Sequence, residues 1–334
     1  MLYGAIALAP FKDNFWSTTN NPGNNWHVNE SNPELMALVS SLSAGPVGPS
    51  DKIGLLNTTV VMQCSRADGV LLRPDEPMAP LGRWWLNSSP LPSSGPRFMN
   101  SFLHHLRQIR LPLLTSSHVL ISPHPSDAAF AAAFTAPLNP SKQVESPGVW
   151  PVHTFSAGMG HHYVVNALRS TPLTLVPGDL TGADAKAELW SYEYYSSGAA
   201  KGVETFAVTP VSAAAPLVLR ATMTKDTTHG APVDFELHVL FSPAPDTKTQ
   251  YTIVGEATKF VSGAKERWRS VTYGGTISTA VLTGMVGEKV VVMAVAPETN
   301  MVTHITCVIP QSGTSTIVCN SALAMGLCKC DGHY

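Results

Sequence analysis

From residue 149 onward, short β-branched segments separated by turns recur about every ten residues, and this spacing restricts the fold more than any other feature of the chain. The segments run over 162–167, 173–176, 205–208, 217–222, 234–240, 251–254, 271–273, 280–282, 289–295, 303–308 and 316–318. Together they predict an antiparallel β-sandwich domain over 149–334.

The first 86 residues follow another rule. An apolar run at 3–9, bounded by Pro10, has the character of a parallel-sheet strand buried on both faces. After a loop rich in Asn and aromatics, Asn32 reads as an N-cap, Pro33 as the first helical residue and Glu34 as a first-turn acid. Leu35, Met36, Leu38, Val39 and Leu42 then follow at helical spacing, with Gly45 as the stop. A second extended segment at 46–50 precedes a helix capped by Asn57 and reaching about Ser65; Asp68-Gly69 turns the chain into 70–73. Strand, loop, helix, repeated once, makes two βα units of a parallel layer, so the expected class is α/β followed by all-β. Between the two parts, residues 87–148 carry Pro and Ser clusters and form a connector or insertion, with a short helix at 102–109 and a strand at 119–121.

Length and composition exclude several function classes. At 334 residues the chain can fill about two domains of roughly 150 residues each without staples. Charged residues are 13%, against roughly 25% in an average soluble domain, and Lys+Arg 21 against Asp+Glu 23 leave a net charge of -2. No field of that size recruits nucleic acid or anionic lipid. No apolar run reaches the roughly 18 residues of a membrane span. No cationic residue precedes Lys12, so no signal peptide is read at the start, and the chain is expected to begin inside a domain. Acceptor triplets at Asn29, Asn57 and Asn87 make glycosylation, and a secreted or vacuolar full-length protein, an expectation.

The candidate site residues lie in the loops after the two N-terminal strands: Asp13 with Trp16, and Asp51 with Ser50 and Lys52. In a parallel α/β barrel such loops form the active face. Carboxylates there bind hydroxyls, a Trp stacks on the apolar face of a sugar ring, and a Lys donates to a ring hydroxyl. The alternative is that both Asp residues are turn or capping residues and that Trp16 is core. Neither the cysteine spacing nor the pairs His104-His105 and His161-His162 fit a metal site, since adjacent strand residues face opposite ways; no metal or cofactor is expected. Four of the five cysteines fall at 307–330, with Cys307 and Cys319 on neighbouring segments expected to form a disulfide, and Cys64 is expected to be a buried apolar residue. No phosphate loop, nucleophile elbow or HExxH helix occurs.

The wording of the two loops adds a specific likeness. Gly45-Pro46-Val47-Gly48-Pro49-Ser50-Asp51-Lys52-Ile53-Gly54 with Ala67-Asp68-Gly69-Val70-Leu71-Leu72-Arg73 resembles the eighth strand and following helix of the raffinose synthase and alkaline α-galactosidase (seed-imbibition) glycosidases. Lys12-Asp13-Asn14-Phe15-Trp16-Ser17 is similar to that family's segment at the end of the seventh strand. Later stretches, among them 175–180 and Gly255-Glu256, look more loosely like the β-domain that follows the family's barrel. Ile53 stands where the family has Pro, Pro49 precedes the Ser-Asp pair, and the Pro-rich insert has no counterpart. The resemblance implies the last two βα units of a (β/α)8 barrel followed by the β-sandwich. It also implies retaining hydrolysis or transfer of an α-galactosyl group. The reacting carboxylates of the family come from its fourth and sixth strands, so the resemblance assigns Asp13, Trp16, Ser50, Asp51 and Lys52 to substrate contact and no catalytic residue to this chain. The expected partner is a galactoside-type carbohydrate, with the missing part of the barrel supplied by the full-length protein. A non-catalytic carbohydrate-binding or structural β-domain protein is the second expectation.

Overall fold

The computed structural model describes residues 10–22, 30, 32–81, 152–167, 172–180, 182–196, 207–220, 235–322 and 327–331. The expected strand at 3–9, the helix at 102–109, the strand at 119–121, and Asn29 and Asn87 lie outside them. Helix α1 (Pro33–Leu42) starts as its residue types require: the Asn32 side chain accepts from the Leu35 N–H at 3.0 Å. Its stop is subtler than a glycine in the left-handed region. Ala44 takes that conformation, at φ 60°, whereas Gly45 is needed because a Cβ there would lie 2.2 Å from the Pro10 carbonyl oxygen. Helix α2 (Thr58–Met62) is shorter than expected, with the Asn57 side chain accepting from the Thr59 and Val60 N–H groups. Past its end, the Lys259 ammonium donates to the Met62 and Ser65 carbonyls at 2.6 and 2.7 Å, so a distant cation satisfies the helix C-terminus. The expected strand at 70–73 reduces to one antiparallel bridge, Ser65 with Leu71, across a turn in which Gly69 has φ 82°.

The rest is antiparallel sheet. The first strands are β1 (Ala79–Pro80), β2 (Val152–Ser156), β3 (His161–Ala167), β4 (Leu173–Leu175), β5 (Leu189–Ser196), β6 (Thr209–Val211), β7 (Leu217–Leu219) and β8 (Phe235–Phe241). They continue as β9 (Thr252–Glu256), β10 (Trp268–Gly274), β11 (Ile277–Thr283), β12 (Lys289–Val295), β13 (Val302–Val308), β14 (Thr314–Asn320) and β15 (Leu327–Cys330). Among the described residues four sheets result, in the orders β1-β2-β3-β8-β5-β6, β10-β11-β14-β15, β13-β12-β9 and β4-β7. No (β/α)8 barrel is formed among the described residues, and no helix there is long and apolar enough to cross a membrane.

In the β13-β12-β9 sheet, β9 and most of β12 are covered on both faces, which explains why β12 reads as a continuous apolar run, whereas β13 exposes Thr303, His304 and Thr306. Val290, Val292 and Ala294 face a core shared with Trp268, Ala280, Leu282 and Ile317 of the β10-β11-β14-β15 sheet. Met293 and Val295 face the opposite way, into a core with Tyr163, Leu237 and Val239 of the six-stranded sheet and Leu35, Leu38 and Leu42 of α1. The described residues accordingly all belong to one compact unit.

The disulfides correct one expectation. Cys307 does not bond Cys319: it bonds Cys330, and Cys319 bonds Cys328. Cys319 and Cys328 are direct register partners on β14 and β15, whereas Cys307 sits on β13 in the other sheet. Residues consecutive along the chain need not be neighbours across the sandwich, and here the strand after Cys307 crosses between sheets. Cys64 is buried and unpaired, and burial pushes its thiol up to about 11.

A buried ion cluster joins the α1–α2 segment to the sheets. Arg267 is fully buried and donates to Glu256 at 2.7 Å and to Glu288 at 2.6 Å. Glu288 also accepts from the Ala67 N–H at 3.0 Å, and the Phe260 N–H donates to the Gln63 carbonyl at 3.1 Å. Gly284 leaves the room this needs, because a Cβ there would lie 2.4 Å from the Glu288 carboxylate. Burial dominates at Glu256 and holds its carboxyl above the usual carboxylate range; at Glu288 burial is outweighed by Arg267 and two backbone N–H groups, and its carboxyl falls below that range.

Candidate functional site

The two loops singled out in the sequence meet through a parallel bridge between Phe15 and Pro49. The Phe15 N–H donates to the Gly48 carbonyl at 3.2 Å, and the Ser50 N–H donates to the Phe15 carbonyl at 2.8 Å. Phe15 is anchored because its side chain is buried in the core with α1. Its neighbours Asn14 and Trp16 are thereby held at the surface end, exposed and half-buried. Asp13, Trp16, Ser50, Asp51 and Lys52 are therefore brought to one place, which linear distance alone does not guarantee.

Their roles diverge once the contacts are followed. Asp51 is a hub: its carboxylate accepts from the Ser17 N–H at 3.0 Å, the Ser17 hydroxyl at 2.8 Å, the Thr18 hydroxyl at 3.1 Å and the Asn21 amide at 3.2 Å. Asn21 returns the contact by accepting from the Lys52 N–H at 2.7 Å, and the Ser17 hydroxyl oxygen accepts from the Asn57 N–H at 2.7 Å. One carboxylate thus organises both loops and the start of α2. Partial burial pushes the Asp51 carboxyl up, but the hydrogen bonds led by Ser17 outweigh it and hold the group below the usual carboxylate range. Asp51 is ionised at neutral pH and occupied. Asp13, by contrast, is exposed; its carboxylate accepts the N–H of Asn14 beside it at 2.8 Å, and its carbonyl accepts from the Lys12 ammonium at 3.3 Å. Ser50 is exposed and its hydroxyl donates to the Phe15 carbonyl at 3.3 Å. The Lys52 side chain is exposed. Lys12 is half-buried with its ammonium 5.8 Å from the Phe15 ring centre, and burial lowers its pKa against the pull of Glu30 and Asp13.

Chemically this surface offers the exposed Asp13 carboxylate and Lys52 ammonium, the exposed Asn14 amide and the half-buried Trp16 indole. That set can hydrogen-bond hydroxyls and stack on a ring. It holds no pair of free carboxylates with opposed protonation, because the second acid is spent inside the protein. Asn57 is partly exposed, with its side-chain oxygen capping α2. Ser17, Thr18 and Asn21 were not apparent as functional residues in the sequence; a run of Ser, Thr and Asn beside an Asp some thirty residues away carries no spacing signal, and only the bridge at Phe15 makes it legible.

A second polar cluster lines one face of the six-stranded sheet. His153 and His162, on β2 and β3, share a hydrogen bond of 3.0 Å between ring nitrogens. His161 turns to the other face and lies 5.6 Å from the Phe241 ring, the divergence that strand alternation requires. Burial lowers all three, His153 and His161 to about 3 and His162 to about 4. Farther along, Glu236 accepts from Asn166 at 2.7 Å and from the Arg220 N–H at 2.7 Å, and the Ser191 hydroxyl lies 3.3 Å from His238. Ser191, His238 and Glu236 are all buried, with His238 Nε2 3.4 Å from the Glu236 carboxylate, and β5, which carries Ser191, is irregular between Glu193 and Tyr195. Among the described residues no group of three or more His, Cys, Asp or Glu side chains is placed to hold a metal ion.

No protein-family model matches the chain, and no curated protein matches it.

Proposed function

We propose that the surface built from Asp13, Trp16, Ser50, Asp51 and Lys52 binds an α-galactoside-type carbohydrate. In this reading residues 1–86 correspond to the last two βα units of a glycosidase barrel of the raffinose synthase and alkaline α-galactosidase kind. The observation that supports it most is the parallel bridge at Phe15 and Pro49, which sets the two loops side by side as adjacent parallel strands of such a barrel would. Trp16 stacks on the sugar ring, Asp13 and Lys52 bind hydroxyls, and Asp51 positions the loop that carries Trp16. The sugar is held and not cleaved by these residues, because hydrolysis with retention needs two carboxyl groups about 5 Å apart, one of them protonated.

The occupancy of Asp51 also favours the second reading, a carbohydrate-binding protein without catalysis, and both readings make the same prediction at this surface. Titration calorimetry of methyl α-galactoside into the full chain is expected to show saturable binding. Trp16→Ala should weaken it roughly tenfold with thermal stability unchanged, a loss of about 1.4 kcal/mol. Asp51→Ala should weaken binding and also lower the melting temperature, since it strands the Ser17, Thr18 and Asn21 donors. No binding by the native chain, or equal binding by Trp16→Ala, rejects the proposal.

A further inference from the structure

Strand β15 is the edge of its sheet and is held there by few backbone contacts. Its ladder consists of four register pairs with β14, followed by the Asp331 N–H donating to the Thr316 carbonyl at 2.9 Å. A strand that short, paired on one side, is marginal by itself. Strand alternation turns Lys329 outward, where it is exposed, and sends Cys328 and Cys330 inward. Cys330 is part of the sandwich core and Cys328 packs against it. What the described side chains of β15 give to the core is therefore cysteine, and both are bonded: Cys328 to Cys319 on β14, Cys330 to Cys307 on β13.

The two bonds differ in reach. Cys307, Cys319 and Cys330 are buried and Cys328 is half-buried, so a thiolate arriving from solvent meets the Cys319–Cys328 bond at the Cys328 sulfur. That bond also closes the shorter loop, with a sequence separation of 9 against 23, and so constrains the open chain less. Cys64 lies in the other core, with Leu38 and Val60.

We infer that Cys328 is a thiol-exchange site and that β15 is a strap released by dithiol reductants. One thiolate of the dithiol attacks Cys328 Sγ and forms a mixed disulfide; the bond to Cys319 breaks, and the Cys319 sulfur leaves with the electron pair and takes up a proton. The second thiol of the reductant then displaces Cys328, so the dithiol is oxidised to its disulfide and two cysteine thiols remain. With this bond open, β15 swings on Cys330, the β14 edge is left unpaired, and the Cys307–Cys330 bond is brought to solvent. Reduction is thereby ordered, and the peptide bond after Lys329, held in the ladder of the oxidised chain, becomes open to cleavage.

The test exposes the full chain to dithiothreitol without denaturant, quenches samples with iodoacetamide at intervals and maps the label by peptide mass spectrometry, with a brief trypsin pulse on parallel samples. Label should enter Cys319 and Cys328 about tenfold or more faster than Cys307 and Cys330, with Cys64 still unlabelled as a mark that the other core stays folded. Trypsin should cut after Lys329 in the first reduced species and spare that bond in the oxidised chain. The Cys319→Ser, Cys328→Ser variant should be cut there without reductant. Label entering all five cysteines together, Cys307 and Cys330 reacting first, or no reduction short of denaturant overturns the inference. So does cleavage after Lys329 that is the same before and after reduction, or a double variant as resistant as the native chain.

Discussion

Replacing Arg267 with Ala is expected to destabilise the chain by about 3–5 kcal/mol, enough to leave a marginal domain largely unfolded at room temperature. The reason is what the guanidinium leaves behind. Glu256 is 2% exposed and Glu288 8%, and without Arg267 both buried carboxylates lose the guanidinium that binds them, with Lys259 the cation left in the cluster. The loss is not local, because Glu288 holds the Ala67 N–H and Lys259, in the same cluster, holds the end of α2. The α1–α2 segment should therefore detach in the same transition as the sheets loosen. A triple replacement, Arg267→Met with Glu256→Leu and Glu288→Gln, removes the guanidinium and both carboxylates at once, leaves Lys259 on the Met62 and Ser65 carbonyls, and should recover part of the stability. Urea unfolding monitored by tryptophan fluorescence reads both effects; a single substitution costing less than about 1 kcal/mol would show the cluster to be incidental.

Mild acid should be the second large perturbation. His153, His161 and His162 are buried neutral, with folded-state values near 3 to 4. An unfolded chain protonates them near 6.5, so between pH 6.5 and about 4 the unfolded state binds protons that the native state refuses. Their burial costs nothing above pH 6.5, and stability falls as the pH drops through that window. For His161 alone the loss at pH 5 is about 2 kcal/mol, from 1.5 pH units at 1.36 kcal/mol each. Asp51, Glu236 and Glu288 act in the opposite sense to raised groups: held below their ordinary values, they contribute stability that disappears only at lower pH still, as they protonate. The decline between pH 6.5 and 5 is thus assigned to histidine, and His153→Gln with His162→Gln should make it shallower, leaving the part that His161 contributes. A melting temperature constant from pH 7 to pH 5 would contradict the buried neutral state.

Local codes were the legible part of the sequence. The cap, proline and acid at 32–34 place α1, and β12 is readable to the residue because an apolar run with β-branched side chains suits a strand covered on both faces. β5 and β15 escaped notice for opposite reasons. β5 is built on Trp and Tyr among Ser and Glu, and β15 is only Leu327–Cys330, too short for a period to show. The disulfides and the Arg267 cluster were out of reach because both depend on which sheet a strand joins. In a chain with 13% charged residues, Lys265-Glu266-Arg267 reads as a solvated turn, yet the third of these is fully buried. At the candidate site the residue types were visible and their division of labour was not. Asp13 and Asp51 look alike in sequence, and only the hydrogen bonds of Ser17, Thr18 and Asn21 separate an exposed acid from a structural one.

The central claim is that two loops joined at Phe15 and Pro49 present Trp16 to a sugar ring. A crystal of the chain soaked in methyl α-galactoside measures this without intermediaries. The account predicts a pyranose stacked on the Trp16 indole, its hydroxyls on Asp13 and Lys52, with Asp51 still bonded to Ser17. A sugar bound instead at the histidine-lined face of the six-stranded sheet, or one that reaches Asp51 by displacing Ser17, would contradict it.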